Sequence, residues 1–122
     1  MNTKHTPGPW IFYADTPSTD PNWHIVTTAN RMVVLANVHI EPGNETALAN
    51  ARLIAAAPEL LVALEKLTNN AEQSAFEDWL QEKTPSGDAE SVHRQWKESS
   101  AFRDYFDQWR HALDAIAKAT GA

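Results

Sequence analysis

There is no cysteine among the 122 residues, which excludes disulfides, a thiol nucleophile and a thiolate zinc site. Glycine is scarce: the four glycines are all isolated, so no glycine-rich loop is available to cradle a phosphate. Basic charge is scarce too. Lys and Arg number 10 against 16 Asp and Glu, for a net charge of −6. The basic residues never cluster, which excludes the broad phosphate-backbone footprint that duplex nucleic acid requires. No apolar run approaches the ~20 residues of a membrane span, so no membrane is expected. The opening Met1-Asn2-Thr3-Lys4-His5 lacks the apolar core of a signal peptide, and a cytoplasmic protein is expected. No His-x-x-x-His or His-x-His spacing occurs. His24, His39 and Glu41 are the nearest approach to a ligand set, and no metal is expected. No nucleophile-base pair is recognisable, so neither catalysis nor a cofactor is expected.

What is present is an ordinary soluble composition, 43% hydrophobic and 21% charged, on a chain long enough for one modest core. We expect a single domain over 1–122, with a β part at 1–43 and a helical part at 44–122. The five tryptophans are many for this size. An indole is expensive to bury without a partner for its N–H, so some are expected at an interface or pocket.

Pro7 and Pro9 keep residues 5–9 out of a helix. Trp10 to Tyr13 reads as an edge strand, with Trp10 and Phe12 on one face and Ile11 and Tyr13 on the other. Asp15 to Asn22, with Pro17 and Pro21, reads as a loop. Trp23 to Thr28 and Met32 to His39 read as strands joined by a tight turn at Ala29-Asn30-Arg31, where Asn tolerates positive φ. Sequential short strands with short connections favour an antiparallel meander.

Asn44 is a good N-cap, with Glu45 complementing the helix dipole. A helix is expected from Glu45 to Ala56, broken at Pro58 by the lost N–H and the ring clash. A second helix runs from Pro58 to Lys83, with Leu60, Leu64, Leu67, Ala71, Ala75 and Trp79 on one stripe. Thr84-Pro85-Ser86-Gly87 is a break. A third helix, Asp88 to Thr120, carries Phe102, Tyr105, Phe106, Trp109, Leu113 and Ile116 at helical spacing and should pair antiparallel with the second. The class is α+β: a three-stranded antiparallel meander, a Pro-broken helix and a long helical hairpin.

Three separated segments carry a resemblance: His5-Thr6-Pro7-Gly8-Pro9-Trp10, then Asn50-Ala51-Arg52-Leu53-Ile54-Ala55-Ala56-Ala57-Pro58-Glu59-Leu60-Leu61, then Ala115-Ile116-Ala117-Lys118-Ala119-Thr120-Gly121. Together they resemble a family of small proteins encoded in phages and prophages of proteobacteria, which implies the cytosol of a bacterial host. Residues 69–101 match no pattern and look like a family-variable extension of the hairpin. A small sheet followed by helices in a phage protein also looks like the Thoeris anti-defence sponges, non-enzymatic oligomers that sequester cyclic nucleotide immune signals. That resemblance implies a small nucleotide ligand, with no residue carried over.

Candidate ligand residues follow from chemistry. Arg52 offers a bidentate grip on phosphate or carboxylate, and Asn50 is the other polar residue of the central segment. Two helical positions apart is ~200° around the axis, so they face different ways. The competing reading pairs Arg52 with an acidic neighbour and gives Asn50 to nearby backbone. Trp10, with Phe12 and Trp23, offers ring faces to a base, or else caps the sheet against the helices. Arg103, Asp107, Arg110 and Asp114 fall at i, i+4, i+7 and i+11. That spacing reads as a self-pairing ladder, or as two arginines, Arg103 and Arg110, reaching a bound anion across a subunit boundary. Trp96, Phe102, Tyr105, Phe106 and Trp109 form a patch from which a homo-oligomer is expected. A signal-sequestering protein is the first functional reading. An acidic blocker of a host defence protein, CRISPR-type or other, is the second, and an accessory phage role the third.

Overall fold

The structure is a computed structural model that describes residues 5–14 and 21–121. The opening residues 1–4, and residues 15–20 of the loop expected at 15–22, lie outside the described residues. The element order is β1 (Trp10–Ala14), β2 (Trp23–Thr28), β3 (Val34–His39), α1 (Glu45–Lys83), α2 (Ala89–Glu98), α3 (Ser100–Gln108) and α4 (Arg110–Thr120). The class is α+β, as expected. The chain divides into two compact units, Met1–Val62 and Ala63–Ala122.

In the first unit the strands form an antiparallel sheet of order β1-β2-β3. Phe12 stands opposite Val26, and Val26 opposite Ala36. Thr27 then pairs with Val34, so Leu35 is an extra residue at a bulge, and β3 starts later than its alternation suggested. The bulge bends the ladder where the central strand is fully buried at Val26 and Thr27. In the connecting turn, positive φ falls on Arg31 rather than Asn30. Asn30 instead uses its Oδ1 to accept from the Thr28 hydroxyl at 2.6 Å and from the Met32 N–H at 3.0 Å. An Asx side chain that mimics backbone in this way leaves the left-handed residue to its neighbour.

Asn44 caps α1 as expected: its Oδ1 accepts from the Ala47 N–H at 3.0 Å. The break expected at Pro58 does not occur. Pro58 lies inside the continuous helix Glu45–Lys83. Its ring is buried, and Gly8 approaches so closely that a Cβ there would lie 2.8 Å from the Pro58 Cβ. The lost hydrogen bond is thus accompanied by apolar packing that only a glycine permits. The expectation that no apolar run reaches membrane length is also corrected. An 18-residue window of α1 has mean hydropathy 1.5, long and apolar enough to cross a membrane by length and composition alone.

In the second unit the aromatic residues gather around Trp96. Its ring centroid lies 5.4 Å from Phe76, 5.6 Å from Trp79 and 5.5 Å from Phe102. Trp96 is fully buried, and its indole N–H has no hydrogen-bond partner among the described residues. This tryptophan goes to the core rather than to an interface or pocket, with its ring edge-to-face on Phe76 and Phe102 and tilted on Trp79. The Tyr105 hydroxyl donates to the Thr68 carbonyl at 3.0 Å. Burial, with the Glu72 carboxylate as a smaller cause, pushes the Tyr105 phenol above its ordinary value of 10.0.

The single third helix is three helices. Ser99 and Trp109 leave helical geometry between them. The Ser99 hydroxyl donates to the Trp96 carbonyl at 2.6 Å and accepts from the Phe102 N–H at 3.1 Å. One side chain therefore closes α2 and opens α3, which is the role Ser prefers over helix interiors. The stripe expected on α1 also divides. Trp79 is buried and Leu64, Ala71 and Ala75 are half-buried, whereas Leu60 and Leu67 are 52% and 56% exposed.

Candidate functional site

The central segment places Arg52 and Glu59 seven residues apart, hence on one side of α1. Together with Trp10 and Phe12 of β1, and Ala55 and Ala56 of α1, they line an open groove of about 320 Å³. The alanines hold the floor low, so the half-buried rings of Trp10 and Phe12 and the exposed guanidinium border the same space. The Trp10 N–H donates to the Thr6 carbonyl at 3.2 Å. His5 stands edge-on to the Trp10 ring at 6.4 Å. The segment 5–10 is therefore a small clamp that fixes the ring at the groove. Arg52 makes no hydrogen bond or ion pair among the described residues, so the expectation that it pairs with an acidic neighbour is not met. Its five N–H donors are available to an anion, and the flanking rings to a planar group. Glu59 on the same wall favours a ligand that also offers a hydrogen-bond donor.

Not every sequence candidate reaches this groove. Asn50 is exposed and lies outside it, as the ~200° separation from Arg52 requires. Trp23 packs its ring edge-on to His39 at 4.9 Å, on the face of the sheet opposite Trp10. Arg103 borders a separate hollow of about 300 Å³ with Lys97, Ser99, Phe102 and Phe106. The charge ladder on α3 and α4 is reduced to one pair among the described residues, Arg110 to Asp107 at 2.7 Å. The break at Trp109 interrupts the helical spacing that the ladder assumed. The aromatic patch from which an oligomer was expected is largely internal: Trp96 and Tyr105 are buried, and of its members Phe106 is 42% exposed.

A further hollow of about 440 Å³ lies at the start of α1, lined by His24, Glu41, Asn44 and Glu45 among others. Two carboxylates there oppose an anion despite the helix N-terminus. Among the described residues no group of three or more His, Cys, Asp or Glu could hold a metal ion. What sequence reasoning underweighted was Gly8, whose approach to Pro58 joins two of the three motif segments.

A family model described as Salmonella phage P22 protein Y8K6 matches residues 1–122. No curated protein and no solved structure matches the chain.

Proposed function

Because the chain belongs to the family of Salmonella phage P22 protein Y8K6, a phage protein family, we propose that it is a non-enzymatic counter-defence protein that binds and sequesters a small nucleotide-type immune signal. The observation that supports this reading is the meeting of Trp10, Phe12 and Arg52 at one open groove. A base would stack on the rings and a phosphate would take the guanidinium fork. The chain does no chemistry on the ligand, and its effect is stoichiometric removal of the free signal.

Native mass spectrometry and calorimetry against a panel of cyclic nucleotides test the reading. One nucleotide should bind and quench tryptophan fluorescence. Arg52→Ala should weaken it at least tenfold, about 1.4 kcal/mol, with stability changed by less than about 0.5 kcal/mol because the side chain is exposed. No retained nucleotide across the panel, or binding indifferent to both Trp10→Ala and Arg52→Ala, would refute it.

A second reading is favoured by the exposed acidic residues Glu77, Asp78 and Glu82 near the end of α1. They would meet a basic surface on a host defence protein. Exposure to host lysate should then leave a protein mass bound, one that salt releases.

A further inference from the structure

One side of α1 is covered: Ala51 and Pro58 are buried there, and Gly8 meets the Pro58 ring. On the opposite side lies an apolar line without a partner among the described residues. Leu53 and Leu60 are 62% and 52% exposed, and Ala49 and Ala56 are exposed between them. The spacing is 4, 3 and 4, which is the heptad seam of a coiled coil, with leucine at one seam position and alanine at the other. Arg52 and Glu59 run along one flank of this seam, one heptad apart.

We propose that this face of α1 docks a second copy of the same chain, antiparallel. Residue size and charge both select that arrangement. In a parallel pair, leucine would face leucine and alanine face alanine, giving alternately wide and pinched layers. In an antiparallel pair each leucine faces an alanine, Leu53 against the partner's Ala56 and Leu60 against the partner's Ala49, and every layer has the same width. That register sets Arg52 beside the partner's Glu59, and Glu59 beside the partner's Arg52. Sliding by one heptad either way would set Arg52 against Arg52 or Glu59 against Glu59. A parallel pair would set Arg52 against the partner's Ala57 and Glu59 against the partner's Leu64, leaving both charges unpaired. Opposite charges on one flank therefore fix both direction and register.

The seam is short. Ala49 to Leu60 spans about 18 Å of helix, and two such faces bury less than the roughly 1,200 Å² at the lower edge of standard interfaces. The dimer therefore dissociates on dilution. Arg52, with five donors, still has capacity for a ligand in the groove when one carboxylate is engaged. The inference goes beyond the nucleotide reading and does not rest on it. Its test needs no ligand, and nucleotide titration leaves it untouched.

The test is sedimentation equilibrium from micromolar to submillimolar protein on the wild type, on Arg52→Glu, on Glu59→Arg, and on an equal mixture of the two. The wild type should dimerise reversibly. Each single reversal creates two like-charge pairs and should raise the dissociation constant at least tenfold. The mixture should regain a heterodimer, because both flanking pairs are again opposite in sign. Circular dichroism checks that each variant is folded. If either is not, the Leu53→Cys and Ala56→Cys chains replace them, and mixed oxidation should favour the 53–56 cross-linked heterodimer over both homodimers. A wild type that stays monomeric, a dimer indifferent to the reversals, or a statistical mixture of cross-links overturns the proposal. So does wild-type protein that stays monomeric and floats with phosphatidylcholine–phosphatidylglycerol vesicles, which would assign the face to a membrane.

Discussion

The unit Met1–Val62 packs small groups, and the unit Ala63–Ala122 packs rings. Among the described residues of the first, Val26, Thr27 and Ala51 are fully buried, and Gly8 meets Pro58 with no room for a methyl group. In the second, Trp79, Trp96 and Tyr105 are buried and linked through Phe76 and Phe102. The difference teaches how each interior should fail. A core of large rings is vulnerable to truncation, because the void left is large. A core of close backbone approaches is vulnerable to addition, because nothing can move aside.

The sharpest break is Trp96→Ala. It removes the ring that Phe76, Trp79 and Phe102 all touch and should cost about 3–5 kcal/mol, read by urea denaturation. A loss under about 1 kcal/mol would mean that the rings collapse into the void and that truncation is not the weakness of this core.

The opposite experiment belongs to the first unit. Gly8→Ala adds a single methyl group 2.8 Å from the Pro58 Cβ, and overpacking of this kind should cost about 1–3 kcal/mol. Adding Pro58→Ala to it should recover part of the loss, since the clash is with the ring. If the two changes are simply additive, the glycine is not there for the proline.

A smaller effect separates packing from polarity within the aromatic unit. Tyr105→Phe keeps the ring but deletes the hydroxyl that donates to Thr68, at about 0.5–1.5 kcal/mol. It should also change the alkaline limb of the stability curve. The Tyr105 phenol is raised above 10.0 in the folded state, so the folded chain holds this proton longer than the unfolded chain does. Its contribution is intact below about pH 10 and falls as pH rises from there through the folded value. Chemical denaturation across that range should show a shallower decline for Tyr105→Phe.

The smallest effect is on the surface of the same unit. Arg110 and Asp107 approach to 2.7 Å, but their side chains are 57% and 56% exposed. Asp107→Asn should shift stability by no more than about 0.5 kcal/mol, and less at high salt. A larger loss in thermal melts would place the pair among the structural contacts.

Much of the fold was legible from local chemistry. The strands follow alternation and punctuation, the Asn44 cap follows side-chain geometry, and the break at residues 84–87 follows Pro85 and Gly87. Of the candidate site, Trp10 and Arg52 were legible as chemistry, and the structure places both on the groove. Asn50, a candidate by chemistry, and Arg103 and Arg110, candidates by helical spacing, lie outside the groove. Helical spacing fixes only which way residues of one helix face, and Arg103 and Arg110 are on two helices separated by Trp109.

The sequence by itself determined the elements whose causes lie within a few residues: caps, turns, strand alternation and the order of strands before helices. Only the tertiary structure decided whether Pro58 would break α1, because the answer depends on Gly8, fifty positions earlier in the chain. It also decided which apolar positions of α1 are covered. Leu53 and Leu60 have the same helical periodicity as residues that are buried. Periodicity reports that apolar faces exist, whereas burial depends on which of them the rest of the chain reaches.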